Sequence, residues 1–230
     1  MRPFTSIAFV SILALAAACS SDSPTSPATP TTGDTTKTSA GLTVAVDSAS
    51  ANRSVPVGTA ATVRVHVTQS GTPVAGATVT WAVTGGGGSV PAASSVTDAT
   101  GVASVVWTVG DTVGTNTLSA TASGAVIVVT ATSLVGPVSS LEKISPDSQV
   151  VVSGGLVALN ARAVDRFGNG VPNVAVSWTT TDGSLSAATT TSGAKGSVTT
   201  NLATGSTPTT YFVTAVLPGL ASVTFKVVGL

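Results

Sequence analysis

His66 is the only histidine and Cys19 the only cysteine among 230 residues. A zinc site takes three or four Cys, His or carboxylate ligands, and a Ser-His-Asp arrangement needs its histidine in a pocket. His66 alternates with Val65 and Val67 beside Arg64, so it reads as a solvent-facing strand residue. Asp98, and Asp165 with Asn169, fall among turn residues, where calcium could take carboxylate and backbone oxygens. The same side chains also cap turns by accepting their own backbone N–H groups, and no acidic run accompanies them. At the boundary of the two halves Glu142 and Asp147 are the only carboxylates. Trp81, Trp107 and Trp178 could stack sugars, but each stands on the apolar side of an alternating run and reads as core. Gly85-Gly86-Gly87-Gly88 is followed by neither Lys-Ser nor Lys-Thr, so it is no phosphate loop. It reads as a flexible loop at one end of a domain, and it is the candidate for ligand binding. No catalytic residue, metal site or cofactor is expected.

These residues are carried by a chain with little charge. Charged side chains make up 8% of it and the formal net charge is zero, so Ser and Thr must cover the surface. No basic stripe exists to meet phosphates, which argues against nucleic acid as a partner. The mean hydropathy is positive, yet past the N-terminus the apolar residues are Ala and Val in short runs broken by Thr, Gly and Pro.

Arg2 precedes an apolar segment from Ile7 to Ala18, the length of a signal-peptide core and too short to cross a bilayer. It ends in Leu15-Ala16-Ala17-Ala18-Cys19-Ser20, which resembles the lipobox of bacterial lipoproteins, with Ala16 where that family usually has Leu. The resemblance implies cleavage after residue 18 and acylation of Cys19. A lone cysteine in an exported chain makes no internal disulfide, which suits that role. Each buried CH₂ of an acyl chain contributes about 0.8 kcal/mol, so several chains hold a protein firmly. Ser20 after the cysteine implies the outer membrane rather than the inner one. Residues 19–41 then form a Ser/Thr/Pro linker, too polar to offset its ordering entropy and expected to be disordered.

From Leu42 onward the chain says one thing twice. Val74-Ala75-Gly76-Ala77-Thr78-Val79-Thr80-Trp81 returns as Val171-Pro172-Asn173-Val174-Ala175-Val176-Ser177-Trp178. Solenoid units run at about 20–50 residues, so a repeat of this length is a domain. Period-two rows such as Val63, Val65, Val67 and Val176, Trp178 predict half-buried antiparallel strands separated by Gly, Pro and Asp turns. A break in alternation at Val164-Asp165 suggests a bulge. The expected fold is all-β, with two tandem Ig-like antiparallel β-sandwiches at 42–135 and 136–230, joined too closely for free tumbling.

The stretch Gly71-Thr72-Pro73-Val74-Ala75-Gly76-Ala77-Thr78-Val79-Thr80-Trp81, with Thr97-Asp98-Ala99-Thr100-Gly101 after the glycine run, resembles the bacterial Ig-like group 1 repeat of invasin and intimin. Asp165-Arg166-Phe167-Gly168-Asn169-Gly170-Val171 is similar to the same family's Asp-x-x-Gly-Asn-x-Val pattern. The likeness covers about residues 42–230 and departs from the pattern at Gln69-Ser70 and Ser192-Gly193. It implies an exported, non-catalytic spacer or adhesion module of the cell envelope. Its expected partners are the membrane, through the lipid, and a surface protein or glycan. The competing expectation is a carbohydrate-binding or enzyme-accessory module, which needs a row of exposed aromatic residues that the outward faces do not offer. A hydrolase would need clustered acid and base residues.

Overall fold

The computed structural model describes residues 36–39, 41–220 and 222–230. Cys19, the signal-like segment 1–18 and most of the linker lie outside the described residues. Among those described there is no helix, and so none long and apolar enough to cross a membrane.

Eleven strands build the first half: β1 (Thr36–Ser39), β2 (Leu42–Val46), β3 (Arg53–Pro56), β4 (Ala60–Gln69), β5 (Thr72–Pro73), β6 (Thr78–Gly85), β7 (Gly88–Ser89), β8 (Ser94–Val96), β9 (Val102–Val109), β10 (Gly114–Ala122) and β11 (Ala125–Leu134). One sheet runs β1-β2-β4-β9-β7 with β5 hydrogen-bonded to β4, and the facing sheet runs β3-β11-β10-β6-β8. The second half has β12 (Val138–Lys143), β13 (Gln149–Val151), β14 (Leu156–Asp165), β15 (Ala175–Thr180), β16 (Ser184–Leu185), β17 (Thr189–Thr191), β18 (Ser197–Ala203), β19 (Thr210–Val216) and β20 (Ser222–Gly229). Its sheets run β12-β14-β18-β16 and β13-β20-β19-β15-β17.

Alternation places the cores where the sequence predicts them. Val63, Val65 and Val67 are buried while Arg64 and His66 are exposed along β4. They meet Val79, Trp81, Leu118 and Ala120 of the opposite sheet in one apolar cluster. In the second half Leu159, Ala161, Trp178, Leu202, Val213 and Phe225 do the same. The two clusters are separate, so each sandwich is held by its own burial, at about 1.5–3 kcal/mol for each large side chain.

Three features differ from the sequence expectation. The polar segment Thr36–Ser39, placed in the disordered linker, pairs antiparallel with β2 from Thr36↔Ala45 to Ser39↔Leu42. The pairing rests on main-chain hydrogen bonds and a Thr38–Thr43 hydroxyl contact at 3.0 Å, so it leaves no apolar period to read. Not every pairing is antiparallel: β3 runs parallel to β11, and β13 parallel to β20. In each half the chain leaves one sheet after its first long strand and lies along the closing strand of the other. The bulge predicted at Val164-Asp165 falls at that level, but the extra residue is Ser139 on the partner strand, between Val138↔Asp165 and Ser140↔Val164. Val164 and Asp165 are instead both buried, one on each side of β14.

Candidate functional site

The isolated candidates resolve into structural roles. His66 Nε2 lies 3.8 Å from Asp47 Oδ2 at the surface. Among the described residues no group of three or more His, Cys, Asp or Glu is placed to hold a metal ion. Asp98 folds its own turn: Oδ1 accepts from the Thr100 hydroxyl at 2.6 Å, the Thr100 N–H at 2.8 Å and the Val102 N–H at 3.0 Å. The Thr100 hydroxyl first, then these backbone donors, hold the carboxyl below the ordinary range. Asp147 is lowered chiefly by the Lys143 ammonium at 2.8 Å and then by the Lys226 N–H.

All three tryptophans are buried. Trp81 Nε1 donates to Ser95 Oγ at 2.9 Å and Trp178 Nε1 to Thr190 Oγ1 at 2.7 Å. Trp107 Nε1 has no hydrogen-bond partner among the described residues. A buried donor without a partner costs about 1–3 kcal/mol. Trp81→Phe is therefore expected to lose roughly 1 kcal/mol more stability than Trp107→Phe, since only the former breaks a hydrogen bond. Urea melts of the two variants measure this, and equal losses would contradict it.

The glycine run is packed rather than open. Gly86, Gly87 and Gly88 all take positive φ, at 76°, 77° and 90°. A β-carbon on Gly86 would lie 2.7 Å from the Asn116 Cα, and one on Gly88 would overlap the Thr108 carbonyl. Only glycine lets these backbones approach so closely. Asn116, itself fully buried, accepts the Gly110 N–H at 2.8 Å and donates to Ser133 Oγ at 2.6 Å. This polar knot ties the Gly110 turn, against which Gly86 packs, to β10 and β11, and Gly88 lines a recess with Gly58, Gly110, Asp111 and Phe167.

That recess belongs to the joint between the sandwiches, where Asp165, Arg166, Phe167 and Asn169 gather. Asp165, at the end of β14, is 2% exposed. Its Oδ1 accepts from the N–H groups of Phe167 and Asn169, both at 2.9 Å, and its Oδ2 from the Gly136 N–H at 3.0 Å. Asn169 Nδ2 also reaches both oxygens, at 3.2 and 3.1 Å. Burial pushes the Asp165 carboxyl up, but the donors of Gly136, Asn169 and Phe167 outweigh it and leave the group below the ordinary carboxylate range.

The turn held by Asp165 then grips the N-terminal sandwich. Asn169 Nδ2 donates to the Asp111 carbonyl at 2.7 Å, and Arg166 Nη2 to the Gly58 carbonyl at 3.4 Å. The Arg166 guanidinium lies 4.4 Å from the centre of the Phe167 ring. Phe167 in turn covers Gly58, at φ 63°, where any β-carbon would overlap the ring. Next to it a cleft of about 400 Å³ is lined by Pro56, Val57, Thr59, Pro137 and Ser139. The structure thus unites Asp165, Asn169 and Gly88 at one joint, and leaves Asp98 and His66 elsewhere. Sequence reasoning singled out Asp165 and Asn169 as turn residues and missed Gly58, Arg166 and Phe167. Phe167 alone gave little signal, because Phe212 is an exposed aromatic as well.

No protein-family model matches the chain, and no curated protein matches it. Among solved structures it is similar to the D0-D1 domain of intimin, at 21% identity over 84% of this chain and 96% of that one, with a TM-score of 0.34. It is also similar to the Escherichia coli adhesin FdeC, at 18% identity over 83% and 65% of the two chains, TM-score 0.45. Invasin, described as a bacterial integrin-binding protein, matches at 24% identity over 81% and 39%, TM-score 0.40. The neighbours include domains of intimin and invasin, and also tandem Ig domains of titin. Likenesses of this size describe a shape and carry nothing about what the chain binds.

Proposed function

We propose that this chain is a lipid-anchored protein of the bacterial cell envelope, probing or bridging space as a surface spacer or adhesion module without catalysis. In this reading Cys19 carries the lipid, residues 19–41 form the stem with Thr36–Ser39 joined to the first sandwich, and units at 42–135 and 136–230 project from the outer membrane. The observation that carries the spacer role is the joint. Two sandwiches fastened by Asn169 to the Asp111 carbonyl, and by Phe167 over Gly58, hold a set orientation. A chain that only tethered a partner would need no such fastening, because linkers between domains leave relative motion as the default.

Growth with labelled palmitate is expected to mark the wild-type protein and not Cys19→Ser. Label that persists in the variant ends the anchor reading. Recovery of an envelope protein with the acylated chain, but not with the Cys19→Ser form, supports the adhesion role. Specific binding on a glycan array moves the assignment to the carbohydrate-binding alternative.

A further inference from the structure

The end of the C-terminal sandwich that faces away from the joint repeats, bond for bond, the surface on which the joint is built. At the joint, Val57 N–H donates to the Leu134 carbonyl, Gly58 N–H to Gly110 and Val109 N–H to Thr59. At the far end Ser153 N–H donates to the Leu230 carbonyl, Gly154 N–H to Gly205 and Thr204 N–H to Gly155. Both surfaces sit where a short strand pairs parallel with the closing strand of its half. Behind the turn, Gly110 N–H is held by Asn116 Oδ1 and Gly205 N–H by the Tyr211 hydroxyl, six residues on in each case. Gly58 and Gly154 share a left-handed backbone, at φ 63° and 77°. Gly58, Gly110 and Asp111 therefore correspond to Gly154, Gly205 and Ser206.

The first of these surfaces is occupied by the turn from Asp165 to Asn169. Its polar contacts to that turn are main-chain carbonyls, Gly58 to Arg166 and Asp111 to Asn169. Its apolar contact is the bare face of Gly58 beneath Phe167. Recognition by carbonyls and a glycine does not depend on side-chain identity, so it survives divergence between the two halves. At the far end a β-carbon on Gly154 would meet nothing within 4 Å. Beside it stand Val152 and Leu156, exposed by 70% and 72%. Large apolar side chains left in water side by side, around a turn that elsewhere in the chain is covered, mark a contact site.

We infer that this end of the C-terminal sandwich is a docking surface for a further Ig-like sandwich, arriving in line and carrying a turn of the Asp165–Asn169 kind. The aromatic ring of that turn lies over Gly154, its guanidinium meets the Gly154 carbonyl and its carboxamide meets that of Ser206. A second copy of this chain does not supply the plug. The matching turn of its N-terminal sandwich is Gln69-Ser70-Gly71-Thr72, without ring or carboxylate, and its Asp165 turn is engaged at its own joint.

The test extends the full chain by a second copy of residues 135–230 placed directly after Leu230, in a Cys19→Ser background. Pairs of spin labels across each joint report the spread of interdomain distances. The new joint is expected to give a distribution as narrow as the native one. Gly154→Asn, which tolerates a left-handed backbone and has open space around it, is expected to abolish that narrowing at the new joint and leave the native joint unchanged. A broad distribution in the unsubstituted extension overturns the inference, and so does an unaffected Gly154→Asn variant. Concentration-dependent association of the unextended chain, reversed by Gly154→Asn, also overturns it, by making a second copy the occupant.

Discussion

Trp178→Ala is expected to destabilise the C-terminal sandwich by about 3–5 kcal/mol, enough to unfold it under conditions where the N-terminal sandwich persists. Trp178 is 2% exposed and its ring stacks on Phe225 at 6.0 Å between centroids, 30° from parallel. Truncation removes that contact, leaves a cavity between the sheets and strands the Thr190 hydroxyl that now accepts the indole N–H. The two cores share no buried residue, so urea melts should split into two transitions, with only one moved. A shift under about 1 kcal/mol is outside the range for a buried large-to-small change and would place Trp178 outside the core. Trp178→Phe keeps most of the ring and should lose much less.

Asp165→Ala is expected to be the most damaging polar substitution, because one carboxylate satisfies the N–H groups of Gly136, Phe167 and Asn169 together with the Asn169 amide. Leaving a fully buried donor unpaired costs about 1–3 kcal/mol, and these part-buried donors less because water reaches them, so a loss on the order of 3 kcal/mol for the set is expected. The turn would also release Phe167 from Gly58, and the joint should loosen. Small-angle scattering and interdomain label distances read the loosening, while urea melts read the stability. Asp165→Asn keeps the shape and part of the accepting capacity, so it should fall between. If Asp165→Ala leaves the interdomain distances unchanged, the turn is not what fixes the joint.

The same carboxylate gives the joint a pH dependence with a definite sign. Its folded pKa is lowered, so it binds a proton more weakly in the folded chain than in the unfolded one. Its stabilisation is complete above the ordinary carboxylate pKa of about 3.9 and is lost as pH falls through the lower folded value. No loosening from this group is expected between pH 5 and 8, and joint order should decline only in stronger acid.

Much of the fold was legible because period-two burial writes itself into residue types. The rows Val63-Val65-Val67 and Val176-Trp178 sit inside as their alternation demands, and the repeated block returns as the same strand, β6 and β15. The segment Thr36–Ser39 was not legible, since a polar edge strand is recruited by backbone hydrogen bonds and a Thr38–Thr43 hydroxyl contact, with no apolar row to read. The glycine run reads from sequence as a flexible loop, whereas the structure packs Gly86 and Gly88 closely against neighbouring backbone. Glycine is chosen equally by loops that move and by loops that need close approach, and only the neighbouring Asn116 and Thr108 tell them apart.

From residue order alone came the all-β class, the duplication, the inward rows and the capping role of Asp98, each a matter of local periodicity or of bonds within a few residues. The joint had to wait for three dimensions. Phe167 and Gly58, or Asn169 and the Asp111 carbonyl, stand far apart along the chain and meet through main-chain atoms that every residue possesses. A contact made with a carbonyl or a bare glycine face leaves no side-chain signature at its receiving end, so folding alone assigns its partner.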